Sequence, residues 1–373
     1  MKNRELHIIA LNIPYPANYG GAIDIFYKIK ELSLLGMRIH LHCFKYGRNE
    51  AEELEDLCAS IHYYPRKKRF LDLFSTTPFI VKSRKTDKLL ENLMKINAPI
   101  LFEGLHTCYY LDHPKLKNRR RFVRAHNIES DYYKALYRAE RKPLEKLFFY
   151  SEYHKIKFYE KKLAKADGIL SISQKDCNHF NNKQKSHYIK PFHPDKEVQI
   201  KKGLGEYAIY HGNLSVAENE KAALFLIQKV FSRIDFPLVV SGYKPSKYLR
   251  KEISKHKYIR LVENPEESLL KSSIENAQIQ VLPTNQDTGI KLKLLKSLFR
   301  GRHCILNKKM ANISGIEKTC HIAESATEWI KKIKELENQE FSQEYIEERK
   351  NMLESFNGKK EAEKIISLTH PTI

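Results

Sequence analysis

Residues 6–44 read LHIIALNIPYPANYGGAIDIFYKIKELSLLGMRIHLHCF. Residues 6–12 form an apolar run of strand length, followed by a loop rich in proline and glycine. Residues 23–36 then repeat Ile, Phe, Ile, Leu and Leu at helical spacing, and Gly36 stands where a helix C-cap is expected. Residues 38–44 alternate with a period of two. A strand, a helix and a second strand in this order form a βαβ unit, which requires parallel strands.

The same alternation runs along the chain. Strand-like segments recur at 61–64, 99–104, 121–127 and 168–173, with a long helical stretch over roughly 143–166. After a stretch rich in Pro, Lys and Gly, strands are expected at 207–212, 237–242, 258–263, 279–283 and 303–307. The chain therefore reads as α/β in two parts. A first domain covers 1–190, a linker 191–205 and a second domain 206–355, and a C-terminal helix over 356–373 is free to pack back onto the first domain. Two domains suit 373 residues at about 100–200 residues each.

A hydrophobic content of 42% is enough for packed cores, and 30% charged residues suit a soluble protein. No apolar run approaches the ~20 residues of a membrane span. The opening segment lacks the apolar core of a signal peptide, so a cytoplasmic protein is expected. Six cysteines are scattered without a CxxC pair, which disfavours both a zinc site and a disulfide framework. No metal or cofactor is expected.

The net charge of +21 points to anionic partners, or to a lysine-rich solvated surface. Basic runs lie beside aromatic residues in the first half. Residues 66–69 adjoin Phe70 to Phe74, residues 119–121 adjoin Phe122, and 132–165 mixes Tyr, Phe, Lys and Arg. That pattern suits an anionic bilayer surface and suggests peripheral attachment to the cytoplasmic face of an inner membrane. It would also suit a nucleic-acid binder, but none of the usual nucleic-acid-binding motifs appears and no nucleic acid is expected.

Two glycine-bearing loops stand at strand-to-helix junctions. One is Asn18-Tyr19-Gly20-Gly21; the other is residues 284–290, ending at Gly289, before a helix that starts near Ile290 and closes at Gly301. A helix N-terminus offers free N–H groups and a positive dipole end, and glycine lets an anion approach. Plain tight turns would use the same residues. There is no GxGxxG and no P-loop sequence. Lys291 and Lys293 lie in the first turn of the second helix, where cations oppose the dipole. A bound polyphosphate would relieve that conflict; so would two side chains extended into water.

Five segments, in order from Gly20 to Gly301, together resemble the retaining glycosyltransferases of GT-B architecture, GT4-like. PYPANYGG resembles the family's acceptor-side glycine loop. VRAHNIE (123–129) resembles a strand ending in a catalytic-site histidine. KKLAKADGILSIS (161–173) is similar to the last helix and strand of the first domain. YHGNLSVAENE (210–220) resembles the first strand and loop of the donor domain, and TGIKLKLL (288–295) with Gly301 resembles the nucleotide loop and helix.

The resemblance implies two Rossmann-like, doubly wound domains facing a cleft, and transfer of a hexose from a nucleotide-diphosphate sugar to a surface polysaccharide, lipopolysaccharide or lipid-linked saccharide. It implies a role at the sugar for His126, with Glu103 beside it. It also implies that Gly20, Gly21, Gly212, Asn213, Asp287, Thr288, Gly289, Lys291 and Lys293 line the donor phosphates. Many relatives have an arginine at the position of Asn213, and two glutamates at those of Thr288 and Lys296. Their loss implies either a rewired donor site or a catalytically silent sugar- or partner-binding relative.

Overall fold

In the computed structural model, residues 4–182, 185–285, 291–311 and 316–371 are described. The chain divides into two compact units. Unit 1 comprises residues 1–194 and 357–373, and unit 2 comprises 195–356.

Unit 1 is built on a seven-stranded sheet: β1 (Glu5–Ala10), β2 (Arg38–Lys45), β3 (Ser60–Pro65), β4 (Ile100–Glu103), β5 (Arg121–Ala125), β6 (Gly168–Ser171) and β7 (Ser186–Tyr188). The spatial order is β3-β2-β1-β4-β5-β6-β7, and every pairing is parallel. Its helices are α1 (Gly20–Leu34), α2 (Phe79–Lys82), α3 (Asp87–Lys95), α4 (Glu129–Ala139), α5 (Pro143–Tyr159) and α6 (Gln174–Asn181). Unit 2 repeats the plan with β8 (Ala208–Asn213), β9 (Leu238–Tyr243), β10 (Ile259–Glu263), β11 (Ile279–Leu282), β12 (His303–Leu306) and β13 (His321–Ile322), in the order β10-β9-β8-β11-β12-β13. Its helices are α7 (Ala217–Phe225), α8 (Lys247–Ile253), α9 (Glu267–Asn276), α10 (Leu292–Arg300), α11 (Ala326–Leu336) and α12 (Gln343–Leu353). The last helix, α13 (Gly358–Thr369), belongs to unit 1.

The strands are apolar along their length because both sheet faces are covered. In unit 1, Ile9, Phe102, Val123 and Ile169 enter one core, and their neighbours Ile8, Leu101, Phe122 and Leu170 enter the other. In unit 2, Tyr210, Val240 and Val281 face one core, while Leu282, Cys304 and Leu306 face another.

Strand order reverses beside β1 in unit 1 and beside β8 in unit 2. At such a switch point the connections leave in opposite directions and open a crevice beyond the carboxyl ends of the strands. The crevice of unit 1 is thus bordered by the residues after Ala10 and Glu103, and that of unit 2 by those after Asn213 and Leu282.

The structure differs from the sequence reading in several places. Gly20 and Gly21 are not loop residues but the first two residues of α1, behind Tyr19 as N-cap. A periodic apolar stripe cannot register glycine, and the first helical turn needs no intrahelical acceptors for its N–H groups, so glycine is tolerated there. The long helix expected over 143–166 ends at Tyr159 and tightens into a 3-10 turn over Glu160–Lys165. β7 and β13 were too short to register a period.

The stretch 191–205 contributes residues to both units. Phe192 is fully buried in the core of unit 1, and Asp195 ion-pairs with Arg300 at 2.6 Å in unit 2. Ala362, Ile365 and Ile366 of α13 complete a core of unit 1, and Glu361 accepts a hydrogen bond from the Lys190 amide at 2.9 Å. Among the described residues no helix is long and apolar enough to cross a membrane.

Candidate active site

The crevice of unit 1 is organised by a buried carboxylate, Asp24 of α1. It accepts two hydrogen bonds from Arg124 on β5, at 2.8 and 3.0 Å, one from Lys28 at 3.1 Å, and one from the Phe192 amide at 2.8 Å. Asp24 and Lys28 lie one helical turn apart on the stripe of α1 that faces the sheet, so the helix carries an ion pair where apolar residues would otherwise stand. Lys28 also ion-pairs with Glu103 at the end of β4, at 2.8 Å. Two carboxylates and two cations, all essentially inaccessible to solvent, thus balance one another. Burial opposes the charge on both acids. Arg124 and Lys28 outweigh it at Asp24 and hold that carboxyl far below its usual range. At Glu103, Lys28 and the hydrogen bond from His126 outweigh it and depress that carboxyl as well.

His126 follows β5. Its Nε2 lies 3.0 Å from Glu103 Oε2, and its Nδ1 lies 3.9 Å from Asp24 Oδ2. An ionised carboxylate only accepts, so Nε2 carries the hydrogen. The imidazole therefore sits between two negative groups with 12% of its side chain exposed. Ligand atoms of Asp24, Glu103 and His126 lie close enough together to suit a metal. Lys28 and Arg124 already neutralise the two carboxylates, however, and a cation there would have to displace Lys28. Gly104, with φ +73°, turns the chain after β4, and a Cβ there would approach His106 Nδ1 to 3.0 Å.

Glu129 opens α4, close behind His126. Burial pushes its carboxyl up to about 8, with Glu160 adding repulsion. The Glu160 carboxylate instead accepts hydrogen bonds from the Ser130 amide and hydroxyl, at 3.0 and 2.9 Å.

In unit 2, Gly212 and Asn213 end β8 at the switch point. Asn213 Oδ1 accepts from Ser215, and the Asn219 side chain donates to Asn213 O at 2.9 Å. β9 crosses so close that a Cβ at Gly242 would lie 2.0 Å from Gly212 O, so only glycine fits there. Lys291 is the N-cap of α10. Lys293 turns inward. Its Nζ donates to Asn219 Oδ1 at 2.9 Å and to Tyr210 OH at 3.2 Å, and burial pulls its pKa down to about 8. Glu218, at the start of α7, accepts from the Thr284 hydroxyl and the Asn285 amide. Lys296, which replaces an acid in the resemblance, ion-pairs with Glu267 of α9 at 2.7 Å. Asp287, Thr288 and Gly289 lie outside the described residues.

The structure thus brings His126 and Glu103 together, and places Gly212 and Asn213 at the second switch point. Sequence reasoning missed Asp24, Lys28 and Arg124. The available signal was charge at positions whose neighbours are all apolar.

No protein-family profile matches the chain. A 27% identical relative, the "uncharacterized 44.6 kDa protein in cps region" of Klebsiella pneumoniae, aligns over 314 residues, 79% of this chain and 80% of its own length. Among solved structures, that of TarM superposes with a TM-score of 0.69 at 10% identity, covering 98% of this chain and 99% of the other. The chain has the GT-B fold. An E. coli protein described as trehalose-6-phosphate bound with UDP-2-fluoro glucose superposes at 0.65 and 9% identity over 99% of each chain. The GT-B fold accounts for the two sheets of like order and for the return of α13 to unit 1.

The raised Glu129 has a predictable consequence. Between its ordinary value of 4.5 and about 8, the folded state holds a proton that the unfolded state releases. Its stabilising contribution is therefore complete below pH 4.5 and is lost as pH rises towards 8. Urea unfolding of Glu129→Gln is expected to match wild type at pH 5 and to exceed it by roughly 2–4 kcal/mol at pH 8.

Proposed function

We propose that the protein transfers a hexosyl group from a nucleoside diphosphate sugar to a saccharide acceptor, with retention of anomeric configuration. The carrying observation is the partly exposed imidazole of His126, held by a buried carboxylate at the switch point of unit 1 in a chain of GT-B fold. Sugars and phosphates bind beyond the carboxyl ends of such strands. The sugar nucleotide in the E. coli structure supports the donor class, and the cps-region relative supports a surface polysaccharide, lipopolysaccharide or lipid-linked acceptor.

In this reading His126 contacts the sugar, and Glu103 fixes its tautomer. The uncapped first turn of α1, at Gly20 and Gly21, offers N–H groups to the substrate. In unit 2, Gly212, Asn213, Lys291 and the segment Asp287-Thr288-Gly289 receive the diphosphate and take up the charge that develops on it. Lys293 is held by Tyr210 and Asn219 rather than standing as a free counter-ion. Glu267, beside Lys296, restores a carboxylate near the position where relatives hold the ribose. These groups supply the leaving-group stabilisation without a metal.

The reading includes attachment to an anionic membrane through unit 1. Phe70, Leu71 and Phe74 are each roughly three-quarters exposed on a 3-10 turn, beside exposed Lys67, Lys68 and Arg69. Lys155 of α5 donates to Leu73 O at 2.6 Å, which joins this turn to a helix that exposes Leu144, Leu147 and Phe158 among lysines. Apolar insertion combined with about 1 kcal/mol per basic residue would hold such a face on anionic lipid.

Two measurements test these statements. A thermal-shift series with UDP, GDP and ADP is expected to raise the melting temperature with one base, and Lys291→Ala to abolish that shift; no shift with any nucleotide would contradict the donor assignment. In flotation with phosphatidylglycerol vesicles at low salt, the protein is expected to rise with the lipid, and a Phe70→Ser/Phe74→Ser variant to remain behind. Wild type remaining in the lower fraction would refute membrane attachment.

A further inference from the structure

Beside His126, unit 1 carries three arginines that form no ion pair among the described residues. Arg84, fully buried, donates its Nε to Leu11 O at 3.1 Å and an Nη to Ile80 O at 2.5 Å. Arg48 donates to Ile13 O and Pro16 O, at 3.0 and 2.7 Å, and lies over the Tyr19 ring at 4.7 Å. Arg66 donates to the Ser83 hydroxyl at 3.0 Å and lies over the Tyr46 ring at 4.7 Å.

The three are brought together by their partners: Arg48 and Arg84 both bind the loop after β1, at Ile13 O and Leu11 O, and Arg66 binds Ser83, next to Arg84 in the chain. Burial, reinforced by Arg66, pulls Arg84 down to about 9. The carboxyl that Arg84 influences, Glu129, is itself pushed up to about 8 by burial and makes no ion pair with it. The cluster stands beyond β1 and β2, and Arg48 lies over Tyr19, the N-cap of the uncapped first turn of α1.

Lys28 and Arg124 of this unit have Asp24 as carboxylate partner, whereas these three arginines, like buried Arg119, have none among the described residues. Arg48 also donates to the Asn18 side chain; guanidiniums whose partners are only carbonyl, amide and hydroxyl oxygens keep their positive charge and have N–H groups to spare. Guanidinium forks match phosphate oxygens in pairs, and a dianion uses more of three such forks than a single carboxylate does.

We propose that Arg48, Arg66 and Arg84 form a phosphate-binding site in unit 1 that grips a phosphoryl group of the acceptor. The assignment of this phosphate to an acceptor rests on the transferase reading; the site itself does not. The phosphoryl group belongs either to a phosphorylated sugar or to a lipid diphosphate, and the two sources are distinguishable.

The test is titration calorimetry of the full chain with inorganic pyrophosphate, glucose 6-phosphate, geranyl pyrophosphate and glucuronate, with UDP, GDP and ADP in parallel. Arg48→Gln and Arg66→Gln carry the test, because these residues are partly exposed, whereas buried Arg84 is needed for folding. Wild type is expected to bind pyrophosphate, with affinity falling roughly tenfold or more in each variant and nucleotide binding unchanged. Tighter binding of glucose 6-phosphate assigns the site to a phosphosugar, and tighter binding of geranyl pyrophosphate to a lipid diphosphate; each supports the site. Pyrophosphate binding lost in the variants while no nucleotide binds to wild type supports the site and removes the transferase reading. No pyrophosphate binding, binding unaltered in both variants, or glucuronate binding as tight as that of the phosphates overturns the proposal.

Discussion

The Asp24 carboxylate is the point on which unit 1 turns. It joins α1 to β5 through Arg124, to the end of β4 through Lys28, and to the chain leaving the unit through the Phe192 amide. Removing water from four charged groups is expensive, and the arrangement is tolerable only because each charge meets an opposite one in good geometry. A chain that needed only a packed core would have placed leucines here. The charged network instead fixes Glu103, which fixes the position of the His126 imidazole.

The two units treat charge in different ways. In unit 1, acids and bases balance around His126, and an excess of arginine accumulates beyond β1 and β2. In unit 2, the inward lysine of α10 is absorbed by Tyr210 and Asn219, and the outward one, Lys296, is absorbed by Glu267.

The strand and helix order was legible because period-two and 3.6-residue patterns are imposed by burial on both sheet faces, as in 38–44 and 23–36. Segments without enough residues to show a period, such as β7 and β13, were not. His126 and Glu103 were legible through resemblance to a strand ending. Their supporting network was not, since Asp24 and Arg124 are 100 positions apart, and a charge among apolar neighbours does not by itself say which partner it meets. The arginine cluster was hidden for the same reason. Arg66 lies inside a basic run that reads as solvated, Arg84 stands between Lys82 and Lys85, and Arg48 stands in a polar loop. Only the fold shows that three elements deliver them to one place.

The account stands most directly on sugar transfer itself. Release of nucleoside diphosphate from UDP-, GDP- and ADP-hexoses, with an oligosaccharide acceptor, should be measured for wild type and for His126→Ala. One donor series turned over by wild type, with the rate reduced by about 100-fold or more in the variant, is the predicted result. No release from any donor, or equal rates in both proteins, would contradict the placing of catalysis at His126.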